Sequence, residues 1–485
     1  MNTILISSVV LYLLGTLGLG VWAGTRIKDT SDFAVAGRSL PLIMVITTTF
    51  ATWFGAETVM GIPAKFVQGG LGALVEDPFG AGTCLILVGL FFAARLYKLN
   101  LLTIGDYYRA RYGKGIEVFC SAAIILSYLG WVAAQITALG LVFSVLTGGA
   151  MSETAGMIVG TLAVLIYVVI GGFLAVAITD FIQMIVLVVG LSIIAVFSAK
   201  LAGGTGAVID MANNANLWHF LPEPKFTDIA FFVGSAVTMM LGSIPQQDVY
   251  QRVMSAKNAP TARAGAVIGG ASYILFAFVP MFVVACAVIV MGNDALELAK
   301  SDYQRVLPTF VMTKMPLIMQ ILFFGALLSA IKSTSSATLL APSTSFTENI
   351  LKNLRPGMND RQQLLAMRVT IVVFASLVLA YAIAMKGTSI YDLVSSAYQV
   401  TLVGAFVPLV TGLYWKRATT QGAILSLVAG IATWIVFFPQ VSSLGEAFPG
   451  QLAGLLAAFA GMFIGSLAPQ VLKNRHEPHK TAVSA

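Results

Sequence analysis

The chain has 485 residues, of which 58% are hydrophobic and only 10% charged, with a mean hydropathy of +0.89. A soluble protein carries about 25% charged residues, so a soluble globular domain of this size is excluded and a polytopic α-helical membrane protein is expected. The net charge of +7 is read as basic loops on one membrane face rather than as a nucleic-acid surface.

The first apolar run, 4–23, has no basic residue before it, while Arg26 and Lys28 follow. That is the reverse of a signal peptide and predicts a membrane helix with its N-terminus outside. Twelve further spans are expected near 40–67, 71–97, 117–147, 154–173, 177–200, 227–253, 263–291, 309–350, 366–385, 389–414, 418–438 and 450–470. The 309–350 stretch is too long for one straight span and is expected to begin with an outer helix or re-entrant piece. Of the 28 Lys and Arg, 20 then fall in segments read as inside, Arg252 among them, seven fall outside, and Lys332 stays in the membrane. This bias supports an outside N-terminus and a cytoplasmic C-terminus. The localisation expected is a plasma membrane, the cytoplasmic membrane of a bacterium. The organisation expected is a leading helix and loop (1–39), two five-helix units (40–200 and 227–414), two trailing helices (415–470) and a polar tail (471–485). Cys84, Cys120 and Cys286 lie in apolar helices without pairing or metal spacing and are read as packing residues.

Three spans carry polar residues at depth, where they are costly unless they face protein, water or an ion. The second span, 47–66, holds Glu57 beside Gly55, Gly61 and Pro63. The seventh, 240–257, holds Ser243, Gln246, Gln247 and Asp248 around Gly242 and Pro245. Gly and Pro in corresponding spans of two halves point to broken helices that flank a binding site. The third, 324–350, carries Ser329, Lys332, Ser333, Thr334, Ser335 and Ser336. At 100° per residue, with Ala330 at zero, Ser333 falls near 300° and Thr334 near 40°, whereas Lys332 falls near 200°. One carbonyl and two hydroxyls therefore share a face suited to Na⁺; the competing reading is that these small polar residues only pack helix against helix. Between the fifth and sixth spans, Gly171 and Gly172 are expected to make a tight turn. Asp180 follows, read either as a cap on a helix dipole or as an inward acid that helps release an ion.

These stretches resemble the sodium:solute symporter family over nearly the whole chain. The matching motifs are AGRSL at 36–40, ATWFGAETVMGIPA at 51–64, GGFLAVAITDFIQ at 171–183, QRVMSA at 251–256, the hydroxyl cluster at 329–336, and FVPLVTGLYWKRATTQGA at 406–423. The resemblance runs to the proline and choline branches. It implies an all-α, LeuT-type fold of five plus five inverted helices with broken helices, and about 13 transmembrane helices. It also implies uptake of a small organic solute, an amino acid or similar metabolite, driven by Na⁺. Carried over residue by residue, the Na⁺ ligands would be Ala51, Phe54, Ala330, Ser333 and Thr334. Asp180 would be the inward acid, and Thr52, Trp53, Glu57, Ser243, Gln246 and Gln247 would line the solute pocket. Lys332 departs from the family pattern and is expected to pair with Asp180 or Glu57; the alternative is that it sits in or near the cation site of a proton-coupled or sodium-independent carrier.

An enzyme is not expected: His219, His476 and His479 fall in loops or the tail, with no HExxH and no Ser/His/Asp arrangement. A transporter-like sensor would be expected to continue into a signalling domain beyond Ala485. No feature sets an oligomeric state.

Overall fold

The structure, a computed structural model, describes residues 3–27, 29–438 and 441–472. Lys28 and the tail from residue 473, with its basic residues and two histidines, lie outside the described residues. Among the described residues the chain is helical without a strand; one isolated backbone bridge joins Leu40 to Ala256. Helices suit this sequence because a spanning segment must satisfy every backbone polar group internally.

The principal helices are α1 (Thr3–Gly24), α2 (Leu42–Trp53), α3 (Glu57–Gly69), α4 (Leu71–Lys98), α5 (Lys114–Leu146), α6 (Glu153–Leu201), α7 (Phe226–Gly242) and α8 (Gln247–Ser255). They continue with α9 (Ala259–Met291), α10 (Leu317–Leu354), α11 (Asp360–Ala384), α12 (Ile390–Tyr414), α13 (Thr420–Val436) and α14 (Gly450–Leu467). Among the described residues, nine helices are long and apolar enough to cross a bilayer, or eleven if each bent pair, α2–α3 and α7–α8, is one span. The expected thirteen is reached only by counting α6 as two spans and adding the 17-residue α13. The first addition has a physical basis. A straight helix of 49 residues would be about 73 Å long, more than twice the hydrocarbon thickness. The helix breaks at Gly172, with φ +50° and ψ −157°. A Cβ there would lie 2.6 Å from the Phe33 ring, so both the backbone and the space require glycine.

The two expected breaks are present. The chain bends by 57° between α2 and α3 and by 45° between α7 and α8. The piece expected before the 309–350 span is a separate helix, Val306–Lys314, followed by Pro316 at the N-cap of α10. Helix α10 is the central post, with every residue from Ala326 to Ser345 buried. It packs against α5, α6, α2 and α1.

Candidate functional site: two helix breaks around a central post

Burial alone does not assign the hydroxyls of α10, because most of them satisfy themselves locally. Ser335, Thr338, Ser343 and Thr344 donate to carbonyls one turn back on their own helix, the usual behaviour of Ser and Thr inside helices. Ser333 and Thr334 differ. Ser333 Oγ donates to Asp180 Oδ1 at 2.5 Å, and Thr334 Oγ1 donates to the Thr52 carbonyl at 2.7 Å, at the end of α2. Thr48 Oγ1 donates to the other Asp180 oxygen at 2.5 Å. Each of these hydroxyls spends its proton outward and keeps its lone pairs, so the oxygens stay free to accept a cation. Ala51, Phe54 and Ala330 are buried at the same crossing, and Phe54 leaves helical geometry with ψ 71°.

The break itself is held open by α5. Gln135 Oε1 accepts from the freed Ala56 amide at 2.9 Å, while Gln135 Nε2 donates to Glu57 Oε2 at 2.7 Å. Trp131 Nε1 donates to Glu57 Oε1 at 2.9 Å. Gly55 lies between these groups. A Cβ there would meet Glu57 Oε2 at 2.5 Å, Thr334 Oγ1 at 2.7 Å and Gln135 Oε1 at 2.9 Å. The hydroxyl face of α10 and the Glu57 carboxylate therefore adjoin across one glycine.

The second break contributes Asp248 and Arg252. Asp248 accepts from Trp53 Nε1 at 3.2 Å and from Tyr128 OH at 2.5 Å. Four rings pack around these carboxylates. Centroids are 5.5 Å apart for Trp53 and Trp131, 6.1 Å for Tyr128 and Trp131, 5.6 Å for Trp131 and Tyr398, and 6.1 Å for Trp53 and Tyr398. The Ser243 hydroxyl, the Gln246 side-chain oxygen and the Tyr398 hydroxyl are buried without a hydrogen-bond partner. Buried polar groups are rarely left so, which makes these three candidates to meet a water or a polar ligand.

Several expected roles are corrected. Lys332 does not pair with Asp180 or Glu57: its ammonium donates to Thr16 Oγ1 on α1 and lies 4.3 Å above the Tyr167 ring. It makes no ion pair among the described residues and faces away from Ser333 and Thr334, as its position on the helical wheel required. Arg252, counted with the loops, is 2% exposed inside the bundle. It donates to the carbonyls of Thr48 and Asp248 and to Thr52 Oγ1, and it interacts electrostatically with both Asp180 and Asp248. Thr52 is thereby drawn to Arg252. Gln247 gives its oxygen to the Ile104 amide at 2.9 Å, so it braces the short helix Ile104–Tyr112 instead of facing the rings. Gln246 does face inward and donates to Ser127 Oγ at 2.8 Å. Tyr128, Trp131 and Gln135 were not singled out in the sequence, although their i, i+3, i+7 spacing draws a polar-aromatic stripe on one face of an apolar helix. Tyr398 and Arg252 carried no such signal.

The two ends of the bundle differ. Near α3, a cavity of about 670 Å³ is lined by Lys65, Glu153, Asp302, Gln304, Lys386 and Asp392. At the other end polar contacts tie the helices together: Asn349 Nδ2 donates to Asp106 Oδ1 and to Glu117 Oε1, each at 3.0 Å.

The profile of the family described as "Sodium:solute symporter family" matches residues 33–430. The chain is 25% identical over 503 residues to high-affinity choline transporter 1 of Caenorhabditis elegans, with 96% of this chain and 85% of the relative covered. It is 27% identical over 443 residues to the human high affinity choline transporter 1, covering 88% and 75%. It is 26% identical over 481 residues to the sodium/pantothenate symporter of Escherichia coli (strain K12), covering 95% and 96%. Among solved structures, a substrate-bound, outward-open Na⁺-coupled sialic acid symporter superposes with a TM-score of 0.81 at 20% identity, covering 96% of this chain and 99% of that one. That likeness shows the fold, which is of LeuT type.

Proposed function

The chain belongs to the sodium:solute symporter family and is a secondary active transporter that crosses its membrane many times, and on that premise we propose that it imports a small organic solute bearing a cationic nitrogen together with Na⁺. The reading includes a bacterial cytoplasmic membrane, an outside N-terminus, a cytoplasmic C-terminus, and two five-helix units spanning 40–200 and 227–414. In this orientation the cavity at Lys65 faces outward, and Asn349, Asp106 and Glu117 close the cytoplasmic side.

Na⁺ is held by the hydroxyls of Ser333 and Thr334 and by the carbonyls of Ala51, Phe54 and Ala330, with Asp180 behind Ser333. The solute's nitrogen lies among Trp53, Tyr128, Trp131 and Tyr398, with Glu57 and Asp248 as counter-charges. Ser243, Gln246 and Tyr398 take its polar end. An amine-bearing metabolite, whether an amino acid or a simpler amine, fits this set better than a bare carboxylate. The choline-transporting relatives are in keeping with that class.

The observation that carries the proposal is one of charge. Glu57, Asp180 and Asp248 all accept hydrogen bonds from surrounding donors, the pattern of ionised carboxylates. With all three ionised, Arg252 supplies one positive charge and two negative charges remain at the breaks. Buried charges need partners. One Na⁺ and one cationic nitrogen supply them, and aromatic faces favour the latter.

The test is uptake into proteoliposomes of a panel of labelled small amines and amino acids, with pantothenate as a control lacking an amine. Inward Na⁺, K⁺ and pH gradients are imposed in turn. Uptake of an amine under the Na⁺ gradient alone is expected. Uptake of pantothenate only, or uptake that follows the pH gradient and ignores Na⁺, would overturn the reading.

A further inference from the structure

A second acidic pair stands apart from the two helix breaks. Glu76 and Asp77 are neighbours in the first turns of α4, where Asp77 leaves helical geometry (φ −141°, ψ 123°). They are 7% and 1% exposed. Asp77 Oδ1 accepts from Tyr273 OH at 2.6 Å, and Tyr273 OH lies 3.1 Å from Thr58 Oγ1, the neighbour of Glu57. Glu76 Oε2 accepts from Ser395 Oγ at 2.7 Å, but Glu76 Oε1 is buried with no partner.

A separate observation points to a ligand. The Tyr391 hydroxyl, in a residue only 7% exposed, lines the same cavity as Glu76 and Ser395 and is buried without a hydrogen-bond partner of ordinary geometry. The ammonium that shares their cavity, Lys65, is taken by Asp392 at 3.0 Å. This cavity, of about 580 Å³, is lined by Glu76, Tyr391 and Ser395 together with the acids Glu223, Asp228 and Asp392. An acid-lined cleft concentrates cations, and a cation would satisfy a buried carboxylate oxygen that lacks a donor. The side-chain partner of Glu76 is the Ser395 hydroxyl oxygen, and the Tyr391 hydroxyl lines the same cavity. Among the described residues, no three His, Cys, Asp or Glu gather as for a metal centre, which favours a monovalent cation.

We propose that Glu76, Asp77, Tyr391 and Ser395 form an outer subsite for a monovalent cation, filled from outside before the cation passes Tyr273 and Thr58 toward Glu57. It rests on the reading that the Lys65 end faces outward. Two sources share the chemistry: Na⁺ itself and the protonated amine of the solute.

The test measures thermal stability of the full chain in detergent, with NaCl or methylammonium chloride replacing N-methylglucamine chloride at constant ionic strength. Ser333→Ala/Thr334→Ala removes the inner ion ligands, and Glu76→Gln is then added. The double variant is expected to keep a rise in Tm that Glu76→Gln abolishes for Na⁺ or diminishes for methylammonium, which Glu57 and Asp248 can still hold. Loss of the Na⁺ response alone on adding Glu76→Gln identifies the inorganic ion as the occupant, and a diminished methylammonium response alone identifies the solute's nitrogen. Responses to both cations left unchanged by Glu76→Gln overturn the subsite, as does a wild-type response lost entirely in the double variant. A wild-type Na⁺ response untouched by the double variant but lost in Glu76→Gln removes the inner assignment and leaves the outer one standing. Should the Gln variant fail to fold, Tyr391→Phe in the double-variant background removes one oxygen and keeps the ring. The concentration for half-response should then rise several-fold, and an unchanged value overturns the subsite.

Discussion

Replacing Lys332 by methionine separates two roles that a charge in the middle of α10 can have. The side chain is 2% exposed. Among the described residues its polar contacts are the Thr16 hydroxyl and the face of Tyr167. A desolvated cation–π contact contributes about 2 kcal/mol, and a hydrogen bond from a charged donor about 1.5–3 kcal/mol. Removing an ammonium from water costs several kcal/mol even after relaxation. The opposing contributions nearly cancel, and methionine keeps the length and most of the volume. Lys332→Met should therefore change stability by no more than about 1–2 kcal/mol, toward greater stability, because the uncompensated desolvation is relieved. Its effect on the ion site should be nil, since the ammonium faces α1 while Ser333 and Thr334 face Asp180 and Thr52. The assay is thermal unfolding of the purified protein in Na⁺ against K⁺ at constant ionic strength. A ligand specific to the folded state adds about 2.7 kcal/mol at 100 times its Kd, and both proteins should show the same Na⁺-specific rise. If the rise is missing from the wild type and emerges in Lys332→Met, the ammonium occupies the place of the ion, and this reasoning is wrong.

Other substitutions probe the solute side. Trp131→Phe keeps a ring but removes the donor to Glu57, a loss of about 1.5–3 kcal/mol for a charged acceptor; KM for the amine should rise at least tenfold in uptake assays, with the Na⁺ requirement little changed. Glu57→Gln removes one of the two uncompensated negative charges, so a cationic solute should lose more affinity than a neutral analogue, as competition assays would report; equal losses would argue against a charge role. Gly55→Ala drives a methyl group into Glu57, Gln135 and Thr334 and should weaken Na⁺ and solute together, whereas a change in only one would mean that the sites do not share this wall. Asn349→Leu unties Asp106 and Glu117. It should raise cytoplasmic accessibility, read as faster alkylation of a cysteine placed at Gln247.

Much of the fold was legible because membrane depth makes polar and helix-breaking residues conspicuous. Gly55, Gly61 and Pro63 in one span, and Gly242 and Pro245 in another, announced the breaks, since freed backbone groups are tolerated only where protein or a cavity satisfies them. The direction of Lys332 followed from helical geometry, but its partner did not: Thr16 lies 316 residues away, in the leading helix. Arg252 read as a loop residue because hydropathy treats any charge as exposed. Only the packing of α2 against both α6 and α8 brings Asp180 into its field, with Thr48 touching both residues. Likewise, the stripe of Tyr128, Trp131 and Gln135 was visible in the sequence, but which neighbour it faced depended on the rotation of α5, which composition does not fix. Gln247 illustrates the same limit one residue from Gln246: adjacent positions on a helix point about 100° apart, and here one faces the rings and the other the Ile104 amide.

The adjacency at Gly55 bears on how the two cargoes can be coupled. Coupling requires that each ligand change the free energy of binding the other, and by linkage the effect is reciprocal, typically about 1–3 kcal/mol. Thr334 fixes the carbonyl of Thr52, and the next residue, Trp53, reaches Asp248 across the second break. Four residues after Trp53, Glu57 is fixed by Trp131 and Gln135. On the proposed assignment, a cation at Ser333 and Thr334 would order the same few residues that present Trp53 and Glu57 to the solute. Whichever ligand arrives first bears the conformational cost of setting the break, and the second binds to a break already set. On this argument no long pathway through the bundle is needed. The proposal places the coupling in the segment from Ala51 to Glu57, where Gly55 adjoins Thr334 on one side and Glu57 and Gln135 on the other.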